Sequence, residues 1–169
     1  VPEEQEAWES WVARQGPVAL LYARSMTRSL ADAEDALQEG FVRFFRFWNK
    51  GGEMRDRAKM LFACVRSAVL DQRRGNLRRQ RREELRGRNM PLFEESGEAQ
   101  AATRELVNRA LEELPEEQRE VVVMKLWGGL TFAEIGEAVG VPANTAATRY
   151  RYALEKMGGM LLAPGGELS

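Results

Sequence analysis

Apolar residues recur along almost the whole chain at spacings of three and four, the period of helices with one face turned inward, and no period-two alternation of strands takes over. Trp8, Trp11 and Val12 mark a first helix, which Gly16-Pro17 is expected to break. Val18, Leu21, Tyr22 and Ser25-Met26 form the apolar side of a second. After a reset at Leu30-Ala31-Asp32, the run Leu37, Phe41, Phe44, Phe45 and Trp48 predicts a third helix with an aromatic core face, ended by Asn49-Lys50-Gly51-Gly52. A long fourth helix is expected from near Met54, burying Leu61, Phe62, Cys64, Val65, Ala68 and Val69 before it enters an arginine-rich run. The pattern lapses from Asn89 to Ala102, where Met90-Pro91, Ser96-Gly97 and scattered glutamates read as a linker.

A second, shorter helical module follows. Leu106, Val107, Ala110, Leu111 and Leu114 mark one helix, stopped by Pro115. Glu116, Glu117 and Gln118 open the next, where acids suit the positive end of the helix dipole. Val121, Val122, Met124 and Leu126 fill its apolar side and Gly128-Gly129 ends it. Thr131 followed by Glu134 has the form of a capping box, with Phe132, Ile135 and Val139 facing inward behind it. Gly140 stands where a left-handed stop is needed, Val141 plugs the angle, and Pro142 suits the first position of a last helix. The inner face of that helix is predicted to carry Ala147, Tyr150, Leu154 and Met157. Two short helices about a glycine turn are a helix-turn-helix, whose second member can enter a DNA major groove. From these residues alone the exposed set, Ala143, Asn144, Thr145, Thr148, Arg149 and Arg151, is either a reading face or an ordinary solvated helix surface.

Composition narrows the chemistry. The chain has 169 residues, no histidine and a single cysteine, Cys64. A histidine-based triad, a histidine-ligated metal and a cysteine-cluster zinc site are therefore excluded, and no enzyme, metal or cofactor is expected. An internal disulfide is impossible, which suits a reducing cytoplasm, with Cys64 a small packing residue. No apolar run approaches membrane-spanning length, and the acidic Val1-Pro2-Glu3-Glu4 lacks the order of a signal peptide. The net charge of −1 hides an asymmetry: Arg73, Arg74, Arg78, Arg79, Arg81, Arg82, Arg86 and Arg88 crowd one stretch, while acids dominate from Glu94 to Glu120. Local basic density governs attraction to a phosphate backbone.

Taken together, three stretches resemble the sigma-70 family, and specifically its extracytoplasmic-function (ECF) subgroup. The segment Asp32-Ala33-Glu34-Asp35-Ala36-Leu37-Gln38-Glu39-Gly40-Phe41 looks like the region-two helix. Leu114-Pro115-Glu116-Glu117-Gln118-Arg119-Glu120-Val121 looks like the opening of region four, and Leu130-Thr131-Phe132-Ala133-Glu134-Ile135-Gly136 through Asn144-Thr145 and Arg149 like its helix-turn-helix. The likeness covers nearly the whole chain except the last dozen residues. It implies an all-α fold of two small, separately folded helical domains: region two over residues 1–88, a flexible linker over 89–102, region four over 103–160 and a mobile tail over 161–169.

The resemblance also implies roles. Asp35, Gln38, Glu39, Val42 and Arg46 correspond to the surface that docks on the clamp helices of the polymerase's largest subunit. Residues from about Asn49 to Arg74 correspond to the part that captures the unwound −10 element, with Arg55, Arg57, Lys59, Arg66, Arg73 and Arg74 as its cations and Asp71 as a matching position. Met60 stands where a tryptophan is common and Ser67 where an asparagine is common. Ala143, Asn144, Thr145, Thr148 and Arg149 correspond to the −35 reading helix, with Lys125, Thr131 and Arg151 as further DNA contacts. Pro142 replaces a frequent serine cap there, and Ala147 a frequent lysine.

The expected function is that of a sigma factor, monomeric when free, which binds core RNA polymerase and promoter DNA and is held by an anti-sigma factor. The acidic linker residues Glu94, Glu95 and Glu98 would thread the enzyme's basic channel as nucleic-acid mimics. Two alternatives stand beside it: a helix-turn-helix regulator that needs no polymerase, and a sigma-like partner-binding protein that has lost initiation.

Overall fold

The computed structural model describes residues 2–48, 56–79 and 98–162. Among them the chain is all helix: α1 (Pro2–Met26), α2 (Leu30–Trp48), α3 (Arg57–Arg79), α4 (Glu98–Glu113), α5 (Glu116–Leu126), α6 (Phe132–Val139) and α7 (Ala143–Leu162). The stretches expected to end α2 (Asn49 to Gly52) and to start α3 near Met54 lie outside the described residues, as do most of the linker and the tail.

The first three helices form one bundle. Trp8 stacks on Trp11, Phe44 and Trp48 at ring-centroid distances of 5.4, 5.8 and 5.4 Å, and Phe44 is fully buried at the centre of the group. Each such pair adds about 0.5–1.5 kcal/mol beyond the area it buries. Pro17 does not break the chain into two helices as expected. It lies inside α1, because Trp8 and Trp11 before it and Ala19, Tyr22, Ala23 and Met26 after it all pack into the same body. That burial outweighs the roughly 3 kcal/mol lost at an interior proline.

Helices α2 and α3 pack closely. A Cβ placed on Gly40 would stand 2.6 Å from Val65 Cγ2 and 2.8 Å from Val65 Cα, so only glycine lets the two backbones meet. On α3, Leu61, Phe62, Val65, Ala68 and Val69 are buried as the periodicity predicts, and Cys64 is half-buried with its thiol pKa raised by burial.

In the second module α4 starts at Glu98, inside the stretch read as linker. Ala99, Ala101 and Ala102 are strong helix formers, and they extend the helix back from its packed end. Helix α5 is buried all round from Arg119 to Met124, whereas Leu126, expected inside, is exposed. The predicted capping box on α6 is complete: Thr131 Oγ1 accepts from the Glu134 amide at 3.1 Å, and the Thr131 amide donates to Glu134 Oε1 at 3.0 Å. Gly140 takes φ +80° and its N–H reaches the Gly136 carbonyl at 2.8 Å, as a left-handed stop requires. Pro142 sits one place earlier than predicted, its carbonyl accepting the first α7 bonds from Thr145 and Ala146. The inner face of α7 is Ala146, Ala153 and Met157 with half-buried Tyr150, so Ala153 takes the place assigned to Leu154, which is exposed.

The two modules do not stand apart. Helix α5 packs on α1 and α6 on α3, and the buried apolar residues of both halves form one continuous core. Phe62 lies at this seam: it meets Tyr22 edge-on at 5.6 Å, and a Cβ on Gly128 would come within 3.0 Å of its ring.

Two stability outcomes follow from these close approaches. Gly40→Ala forces α2 away from Val65 and lowers unfolding free energy by about 1–3 kcal/mol. Gly140→Ala places a Cβ in the left-handed region and costs about 1–2 kcal/mol. Urea titration followed by circular dichroism measures both. An unchanged midpoint in either variant contradicts the corresponding packing or turn.

Candidate nucleic-acid and polymerase interfaces

The capping box and the Gly140 turn aim the start of α7 outward. Ala143, Asn144 and Thr148 are exposed there and Thr145 is half-buried, while Ala146 on the opposite side is fully buried. Gly136 sets the closeness of the two helices, since a Cβ on it would stand 2.5 Å from the Val141 carbonyl oxygen. The cations nearby are partly engaged. Arg149 approaches Glu117 at 3.6 Å, Lys125 Nζ lies 4.5 Å above the Phe132 ring, and Arg151 lies 5.3 Å from the Tyr152 ring centre. Thr131 is exposed, its hydroxyl oxygen already accepting the cap bond. Small polar side chains at the tip, flanked by cations, suit base edges and phosphates respectively.

On α2, Asp35, Gln38, Glu39, Val42 and Arg46 are all exposed on the side opposite buried Ala33, Ala36, Gly40 and Phe44. Val42, 43% exposed, is an apolar spot within this polar face. Beside it Arg43, which sequence reading passed over, bonds Glu39 at 3.0 Å, Asp71 at 2.8 Å and Ser67 at 2.8 Å. Burial lowers the Arg43 pKa, but these carboxylates outweigh it and hold the guanidinium charged. Asp71 and Ser67 are thus tied to α2.

Three of the cations assigned to the −10 strand are engaged by carboxylates of the chain itself. Lys59, Arg66 and Arg73 are seven residues apart on α3, one stripe with about 10.5 Å between neighbours. All three point at the second module. Lys59 reaches Glu137 at 2.5 Å, Arg66 Nε reaches Glu120 at 3.0 Å, and Arg73 reaches Glu116 at 2.6 Å while also donating to the Met26 carbonyl. Lys59 also approaches Asp56 at 3.4 Å. Arg57 turns inward, 5.1 Å from the Trp11 ring centre. Arg74 is 79% exposed, with Asp71 at 3.6 Å, and Arg55 lies outside the described residues.

Glu120 is the central member of this set. It is 2% exposed and accepts from both Arg66 and the Tyr22 hydroxyl, the latter also at 3.0 Å. Burial first, and then the adjacent Glu120 carboxylate, push the Tyr22 phenol well above its ordinary pKa, so it stays a donor. The only sequence signals were an acid in an otherwise apolar helix run and the seven-residue spacing of the cations. Among the described residues no group of acids, cysteines or histidines could hold a metal, and no helix is long and apolar enough to cross a membrane.

Known proteins share the two helical modules. Residues 11–83 match the family model for sigma-70 region 2, and residues 104–157 match that for sigma-70 region 4. The RNA polymerase sigma-E factor of Streptomyces avermitilis is 28% identical over 152 residues, covering 89% of this chain and 82% of that protein. The ECF RNA polymerase sigma factor SigL of Mycobacterium tuberculosis is 28% identical over 147 residues, 80% and 78% of the two chains. Among solved structures, the sigma factor RpoE of Bartonella quintana, seen in complex with the anti-sigma factor NepR, has the same fold. It superposes with a TM-score of 0.70 at 18% identity over 92% of this chain and 97% of that one. With both helical modules matched, in order and over nearly their full extent, this chain belongs to the sigma-70 family, in the ECF subgroup of non-enzymatic transcription initiation factors.

Proposed function

We propose that this sigma factor recognises its promoters through two modest contacts joined on one scaffold. The exposed face of α2, with Asp35, Gln38, Glu39, Val42 and Arg46, docks on core RNA polymerase. The cations Lys59, Arg66, Arg73 and Arg74 of α3, with Arg57 and Asp71 on the same helix and Arg55 two residues before it in sequence, hold the separated −10 strand. The tip of α7, with Ala143, Asn144, Thr145 and Thr148, enters the major groove near −35, and Lys125, Thr131, Arg149 and Arg151 meet the flanking phosphates. Joining two weak interactions on one body raises effective concentration, which supplies specificity that neither has alone. The observation that carries this reading is the outward tip of α7, small and polar, held by a completed cap and a left-handed glycine stop.

The same reading places the protein in the cytoplasm, as a monomer when free, where an anti-sigma factor holds it until release. The single cysteine, Cys64, suits a reducing compartment, and the similar RpoE structure holds a sigma factor in complex with an anti-sigma factor. The loss of lysine at Ala147 implies weak grip on duplex DNA by the second module alone, since each phosphate contact contributes to affinity and to its salt dependence.

The test is binding to core polymerase followed by run-off transcription from genomic fragments. Stable association with core and initiation at discrete sites is expected; failure of the purified chain to join core at low salt overturns the assignment. Val42→Asp weakens core association by about tenfold or more, because it buries a charge at the centre of the docking face. Asn144→Ala lowers initiation at promoters that depend on −35 by about tenfold and relaxes base preference at one position. Arg149→Ala lowers it more uniformly across sequences and flattens the salt dependence.

A further inference from the structure

Resting on the −10 assignment above, we infer that Ser67 reads a base of the separated strand as a hydrogen-bond donor, and that Arg43 is the positioning residue that turns its hydroxyl outward. Arg43 touches no DNA in this role; it acts through Ser67.

Ser67, Asp71 and Arg74 follow one another on α3 at spacings of four and three, which sets them in one line along a single face. All three are exposed, and the line is separate from the Lys59–Arg66–Arg73 stripe. Arg43 reaches it from α2. Its Nη1 donates to Ser67 Oγ at 2.8 Å and meets Asp71 Oδ2 at 2.8 Å, while its Nε donates to Glu39 Oε1 at 3.0 Å. Three partners in different directions fix the planar guanidinium. The backbone beneath is equally fixed, since a Cβ on Gly40, three residues earlier on α2, would stand 2.6 Å from Val65.

A serine in a helix ordinarily turns its hydroxyl back to a carbonyl of the preceding turn. Ser25 does so to Tyr22 at 2.7 Å, and Thr27 to Ala23 at 2.8 Å. Ser67 behaves otherwise: it accepts from Arg43, and among the described residues it donates to no partner. With Arg43 on the acceptor side of the oxygen, the O–H is left for an acceptor arriving from outside. The charges nearby suit a strand. The Asp71 oxygens face Arg43 at 2.8 Å and Arg74 at 3.6 Å, so two guanidinium groups offset the carboxylate and weaken its repulsion of a phosphate. Arg74, 79% exposed at the end of the line, is placed to meet the backbone. A serine here, in place of the asparagine common at this position, carries a single donor, so the base it selects presents a carbonyl oxygen or ring nitrogen at the facing edge.

The experiment uses holoenzyme, the full chain on core polymerase. The probe is a fluorescent single-stranded oligonucleotide carrying the −10 segment of a promoter mapped by run-off transcription, with each base of the segment replaced in turn. Anisotropy then gives a base preference at every position. Ser67→Ala is expected to weaken binding by about five- to tenfold, the size of one neutral hydrogen bond, and to erase the preference at one position alone. Arg43→Lys keeps the charge but replaces the fork with one ammonium, which stays with Asp71 and lets the hydroxyl turn back. It is expected to erase the same preference while core affinity stays near wild type. The double variant is expected to bind no more weakly than the weaker single one, because both changes remove the same contact.

Preferences retained at every position in Ser67→Ala overturn the donor. Losses that multiply in the double variant overturn the positioning role of Arg43, and so does a retained preference in Arg43→Lys. A fall in core affinity equal to the fall in strand binding also overturns it, since Arg43 then acts through the Glu39 face. Failure of wild-type holoenzyme to form or to initiate removes the −10 reading beneath; a mapped promoter with preferences unchanged in the variants removes only this inference.

Discussion

A charged carboxylate taken out of water costs several kcal/mol unless its surroundings replace what water supplied. Glu120 meets that demand with two donors, the Arg66 guanidinium and the Tyr22 hydroxyl, drawn from two different helices of the other module. The consequence is directional. A pair of this kind adds little net stability over well-packed apolar residues, yet stranding one member is strongly unfavourable. Of all the ways α5 could rest on α1 and α3, those that leave Glu120 buried without Arg66 and Tyr22 are disfavoured. The pair therefore governs the register of the two modules more than the strength with which they adhere.

Around that point the remaining contacts agree in orientation. Glu116 and Glu120, four residues apart on α5, face the same way, and Arg66 and Arg73 meet them from successive two-turn positions on α3. Phe62 fills the space beside the ion pairs, with Tyr22 edge-on to it and the bare Gly128 backbone admitting its ring. On the far side of the first module the Trp8–Phe44–Trp48 cluster and the glycine contact at Gly40 hold α2 flat against the bundle. This leaves the polar α2 face free of the seam.

Much of this was legible along the chain, because helix periodicity and caps are local properties. Phe44, Leu61, Val65 and Ile135 fell inside as their spacing required, and the Thr131–Glu134 box and the Gly140 stop formed where their residue types pointed. Errors arose where tertiary burial overrode a local signal. Pro17 is carried inside a helix by packing on both sides, and the alanines after Glu98 prolong a helix into a stretch read as linker. Leu154 lost its inward place to smaller Ala153, a rotation of one residue on α7. The residues assigned to DNA reading came from resemblance as well as pattern. The partners of the cation stripe were not, since Tyr22 and Glu120 are 98 positions apart and neither carries a motif that names the other.

Charge distribution adds the last step. With 25 basic and 26 acidic residues the chain is nearly neutral, yet the two signs are segregated along it, so the modules attract each other. In the packed arrangement the stripe assigned to DNA is covered, whereas Asp35, Gln38, Glu39, Val42 and Arg46 remain exposed. The carboxylates of the second module thus neutralise these cations within the chain, while the polar α2 face stays exposed.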